Sequence, residues 1–175
     1  SEGVSIDTSR VYLTGHSNGC MASMTLAALY SDSIAAVACY GGSLVTEFAA
    51  DYSATPIFIV HGLLDTTLPP DGLIIGDYYL PSTQQIFNYV ADKNGCSPDT
   101  VWDNTTLGDE GYVQTRSGCT NDADTTLVIL NTAGHSPYLL APVEDSEPGA
   151  VAPSVDTTAM GWEFISKYSL ADDTP

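Results

Sequence analysis

Positive charge is nearly missing from this chain: its 175 residues carry 4 Lys+Arg against 22 Asp+Glu, a formal net charge of −18. A field of that sign repels phosphate backbones and anionic headgroups, so nucleic acid and membrane surfaces are not expected partners, and neutral ligands fit better. Long apolar runs are lacking too, with nothing near the about 18 consecutive apolar residues of a membrane-spanning helix. The chain has no C-x-x-C pair and no His-rich spacing, so no zinc is expected, and Asp122-Ala123-Asp124 alone is too sparse for calcium. No metal or other cofactor is therefore implied, and no segment repeats. The hydrophobic share of 43% is enough to bury the core of one domain spanning residues 1–175.

Against that background one short segment stands out. Gly15-His16-Ser17-Asn18-Gly19 follows the apolar run Val11-Tyr12-Leu13 and precedes a helix-like run from Met21 to Leu29. G-x-S-x-G between a strand and a helix turns the chain sharply and pushes the serine hydroxyl outward. Ser17 is therefore the candidate nucleophile, and the backbone N–H of Asn18 a candidate oxyanion donor. A serine between glycines can also be a plain turn; the flanking strand and helix favour the reactive reading.

A nucleophilic serine needs a base and an acid. Pro56-Ile57-Phe58-Ile59-Val60 is a β-rich run that ends in His61-Gly62-Leu63-Leu64-Asp65, which puts the Asp65 carboxylate just past a strand end. Leu127-Val128-Ile129-Leu130 is a second such run, and His135 emerges behind it. A neutral imidazole can take the Ser17 proton, and a carboxylate on its other nitrogen fixes the tautomer and stabilises the imidazolium. Of the other histidines, His16 would have to fold back across a tight turn, and His61 is placed to brace the Asp65 loop. Asp51, Asp71 and Asp77 read as solvated surface charge.

The remaining pattern has a βα rhythm, which predicts an α/β fold with a mostly parallel sheet flanked by helices. Strands are expected near Val11–Thr14, Ala35–Cys39, Ile57–Val60 and Thr126–Leu130, with a short one around Tyr112–Thr115. Helices are expected near Asn18–Tyr30, Thr83–Lys93 and Thr157–Tyr168, where Met160, Phe164 and Ile165 recur at core spacing. Glu144–Pro153 reads as a surface loop beside His135, and Asn104-Thr105-Thr106 is a glycosylation sequon. Four cysteines allow three pairings. Cys20 and Cys39 could bond or remain as small buried thiols.

Asp7 to Gly19, then His61-Gly62-Leu63-Leu64-Asp65-Thr66-Thr67-Leu68-Pro69, Lys93-Asn94-Gly95-Cys96 and Gly134-His135-Ser136 together resemble the secreted polyhydroxybutyrate depolymerase, feruloyl esterase and acetylxylan esterase family. The resemblance implies an α/β-hydrolase fold, a Ser17-Asp65-His135 triad, secretion, a Cys96–Cys119 disulfide, and ester substrates that include polymers. A binding domain on the same fold and a serine peptidase of that fold are the alternatives. Pro137 and Tyr138 depart from the aromatic and Pro-Gly order common after the His-Ser pair in the family. The likeness also starts just before the elbow strand. The chain is thus expected to be part of a longer enzyme, with Val11-Tyr12-Leu13 as an open apolar edge and a second oxyanion donor on an earlier loop.

Overall fold

Ile57 to Val60 and Leu127 to Leu130 lack any polar interruption, which is how strands read when both their faces are covered. The computed structural model, which describes residues 3, 5–97, 105–138, 148–151 and 153–170, puts them side by side at the heart of a sheet. In chain order the elements are β1 (Tyr12–His16), α1 (Asn18–Leu29), β2 (Ala36–Tyr40), β3 (Ile57–Gly62), β4 (Leu73–Ile75), β5 (Tyr78–Leu80), α2 (Thr83–Lys93), β6 (Thr105–Thr106), β7 (Gly111–Arg116), β8 (Thr125–Leu130) and α3 (Thr157–Ile165). The main sheet runs β1-β2-β3-β8-β7-β6. Its first four strands are parallel, while β7 and β6 join antiparallel. This is a mostly parallel mixed sheet with helices, an α/β arrangement.

Alternation along β3 divides the core in two. Ile57 and Ile59 face one side with Leu127 and Ile129, where Met24 and Ala27 of α1 and Phe87 and Val90 of α2 cover them. Phe58 and Val60 face the other side with Val128 and Leu130, under Phe164 and Ile165 of α3. Every residue of β3 and β8 is buried. Their C-terminal ends are held from both faces, and it is there that Asp65 and His135 leave the sheet.

β1 is an end strand, with β2 as its one neighbour among the described residues. Apart from the exposed Thr14 its side chains are half-buried: Leu13, with Val11 just before the strand, packs toward α1, and the Tyr12 hydroxyl donates to the Tyr168 carbonyl at 2.8 Å. α3 ends at Ile165, three residues earlier than its apolar spacing suggests, because the Lys167 and Tyr168 N–H groups bond to the carbonyls of Phe164 and Ile165 in a tighter turn. The hairpin of β4 and β5 was not expected. Asn104 of the sequon and half of the Glu144–Pro153 loop lie outside the described residues.

Both cysteine pairs are bonded, Cys20 to Cys39 and Cys96 to Cys119. The first ties the opening turn of α1 to β2. The second joins the end of α2 to the turn between β7 and β8 and closes a loop with a sequence separation of 23. A loop of that length limits the unfolded chain by about 3 kcal/mol in the chain-entropy model. Replacing Cys96 and Cys119 together by Ala is accordingly expected to lower unfolding free energy by about that amount in urea titrations. An unchanged midpoint and slope would show that the bond does not constrain the unfolded chain.

Candidate functional site

The geometry begins with backbone. Between β1 and α1 the chain reverses so tightly that a Cβ on Gly15 would overlap the main chain of Gly19. Ser17 sits at the apex with φ 55° and ψ −120°, a conformation L-residues rarely hold, at a cost of order 1–3 kcal/mol. Neighbours enforce it: Ser17 N–H donates to the Tyr40 carbonyl at 2.9 Å, and Met21 N–H donates to the Ser17 carbonyl at 3.1 Å. The side chain is left pointing away from the helix. Asn18 begins α1, where the first N–H groups have no partner within the helix and lie at the positive end of its dipole.

Asp65 and His135 come from the ends of the two central strands. Those ends approach so closely that a Cβ on Gly62 would run into the main chain of Ala133. Leu63 N–H donates to the Leu130 carbonyl at 2.8 Å and Leu64 N–H to the Ala133 carbonyl at 3.0 Å, which locks the two loops together. On this frame the Asp65 side chain is fully buried. Its Oδ1 accepts from the N–H groups of Thr67 at 3.0 Å and Leu68 at 2.7 Å. Its Oδ2 lies 2.8 Å from His135 Nδ1 and 3.2 Å from His61 Nε2.

The line continues to the serine, with His135 Nε2 2.9 Å from Ser17 Oγ. A carboxylate can only accept, so His135 carries its proton on Nδ1, and Nε2 is the nitrogen that accepts from the Ser17 hydroxyl. Burial pushes the Asp65 carboxyl up, but hydrogen bonds from His61, His135 and the Leu68 N–H outweigh it and hold the group below its ordinary 3.8. The carboxylate is thus charged at neutral pH. Ser17, Asp65 and His135, far apart in the chain, form one continuous hydrogen-bonded line. No family model matches this chain, and no curated protein matches it.

Residues around the line hold it in place. His16 lies with its ring against that of His135, centroids 5.0 Å apart. Burial and the adjacent His135 ring hold the His16 pKa below 6.5, despite the Asp65 charge, so it stands neutral there. The Tyr138 hydroxyl accepts from the Gly62 N–H at 3.1 Å, and Thr157 Oγ1 donates to the Tyr138 carbonyl at 2.6 Å, which ties the His135 loop to β3 and α3. Tyr138, Thr157 and Thr83 had no marker as site residues in the sequence, although the Ser82-Thr83-Gln84-Gln85 capping box does mark a helix start. Asp51, Asp71 and Asp77 are exposed on the surface.

Chemically, the line can generate a nucleophilic alkoxide beside an N–H donor at a helix start. At the same end of the sheet an open groove of about 930 Å³ runs between the loop after β2 and α2, walled by Leu44, Val45, Tyr79, Pro81, Ile86 and Tyr89. Its floor is apolar and its aromatic hydroxyls are already bonded, Tyr79 to Gln85 and Tyr89 to Glu47.

Proposed function

We propose that the chain is a serine carboxylester hydrolase with an α/β-hydrolase fold. The observation that carries this reading is the unbroken line from Ser17 Oγ through His135 to the buried Asp65 carboxylate. Ser17 attacks the ester carbonyl as His135 Nε2 takes its proton, and Asp65 stabilises the imidazolium. The carbonyl oxygen becomes an oxyanion against the Asn18 N–H. His135 then returns the proton to the leaving alcohol, and water, activated by the same ring, hydrolyses the acyl-enzyme.

The strained elbow supports this reading over a binding domain, since a binding surface gains nothing from a serine held at φ 55° with its hydroxyl 2.9 Å from an imidazole nitrogen. The motif set favours esters over peptides and, with two disulfides that suit an oxidising compartment, favours secretion. A strongly negative surface suits a neutral substrate, polymeric or small, such as a polyhydroxybutyrate or an acetylated or feruloylated xylan.

The test is direct labelling. A fluorophosphonate is expected to form one adduct per chain, on Ser17 by peptide mapping, and the same preparation should hydrolyse p-nitrophenyl acetate but not peptide anilides. A chain that takes no adduct and hydrolyses no ester would overturn the proposal.

A further inference from the structure

His61 is 2% exposed, is not part of the Ser17-His135-Asp65 line, and yet makes three polar contacts. Its Nε2 lies 2.8 Å from the Leu68 carbonyl oxygen and 3.2 Å from Asp65 Oδ2. Its Nδ1 lies 2.8 Å from Thr83 Oγ1, at the start of α2. Both groups facing Nε2 are pure acceptors once Asp65 is ionised, and an unprotonated nitrogen would set its lone pair against two oxygens in a buried site. Nε2 must therefore carry a proton. In the neutral ring Nδ1 is then an acceptor, and among the described residues the group hydrogen-bonded to it is the Thr83 hydroxyl, which can donate.

We propose that Thr83 and His61 are positioning residues: the Thr83 hydroxyl locks His61 in the Nε2-protonated tautomer, and His61 then pins Asp65 Oδ2 in the orientation that serves His135. Oδ1 is occupied by two main-chain N–H groups, so Oδ2 alone faces the imidazoles, and His61 is the second of its two donors. The titratable groups around His61 are Asp65, His135 and His16. The rest of its wall, including Ser43, Leu68, Leu73, Leu80 and Thr83, is uncharged. Losing the His61 hydrogen bond removes one of the contacts that hold the Asp65 carboxyl below its ordinary value, so its protonation moves to higher pH.

The kinetic consequences rest on the hydrolase reading above; the tautomer does not. In the whole chain labelled with ¹⁵N-histidine, His61 is expected to show Nε2 protonated and Nδ1 bare. Thr83→Val, which keeps the shape but removes the donor, is expected to shift that tautomer and lower kcat about tenfold with KM unchanged. That is the low end of what hydrogen bonds orienting metal-bound histidines are worth, taken as the analogy. The acidic limb of kcat/KM should move to higher pH, and Thr83→Ser should restore both kcat and the limb. A proton on His61 Nδ1 in the native chain, alone or together with Nε2, would overturn the proposal. So would a Thr83→Val chain with native kcat and pH profile. Should Thr83→Val fail to fold, the native tautomer and the Thr83→Ser profile decide. Fluorophosphonate labelling of the native chain runs in parallel: absence of an adduct on Ser17 removes the hydrolase reading and leaves the tautomer result standing by itself.

Discussion

Ser17→Ala is expected to lower kcat for p-nitrophenyl acetate by about a millionfold, the scale seen when a triad serine or histidine is removed, while substrate binding survives. That loss corresponds to about 8 kcal/mol of barrier. It is this large because the hydroxyl is the atom that forms the covalent bond, and neither His135 nor Asp65 can do its work without it. Ser17→Gly is the control that separates chemistry from folding. Glycine holds φ 55° at little cost, so this variant should be as inactive as the alanine variant but more stable by up to about 1 kcal/mol. Retention of more than about one hundredth of native kcat by either variant would mean that another group attacks the ester.

The elbow was readable because its physics is local. Gly15 and Gly19 lie four residues apart, and the reason position 15 is a glycine, its Cα packed on the main chain of Gly19, is contained within that turn. Asp65 and His135 were readable for a related reason: each follows a run too apolar to be anything but a buried strand, and buried parallel strands deliver their next residues to the same end of the sheet. Helix α2 could be bounded from its capping box and from the Asn94-Gly95 that follow it.

What escaped the sequence depends on contacts between distant segments. Thr83 meets His61 across 22 positions and Tyr138 meets Gly62 across 76, and nothing local marks either as part of a site. The bond between Cys20 and Cys39 follows from register, because β1 and β2 pair with Gly15 opposite Cys39 and α1 then returns over that strand. The β4 and β5 hairpin had a signal in Gly76-Asp77, a two-residue turn between apolar runs, but strands of three residues are too short to show alternation. His16 adjoins Ser17, and steric grounds alone set it aside as the base. Its place against His135 became visible only when the strand ends were brought together.

Asp65→Asn tests the electrostatic half of the line, and its outcome follows from the two oxygens having different duties. Oδ1 accepts two main-chain N–H groups, so the amide oxygen of Asn must take that place and the NH₂ must take the place of Oδ2. A donor then faces His135 Nδ1, which has to present its lone pair and shift its proton to Nε2. With Nε2 protonated, the ring can no longer accept from Ser17. The expected result is a fall in kcat of about 10⁴ with little change in KM, the loss typical of a triad locked in the wrong tautomer. Stability should change in a pH-dependent way as well. Because the native Asp65 carboxyl is held below its unfolded value, it contributes stability that is full above that value and is lost as pH falls through the folded one. The Asn chain has no such term, so its stability should decline less steeply with acid, while at neutral pH it lies below the native chain. A variant with kcat within tenfold of native would show that Asp65 neither orients nor charges the base, and would reduce the buried carboxylate to a fastening between two loops.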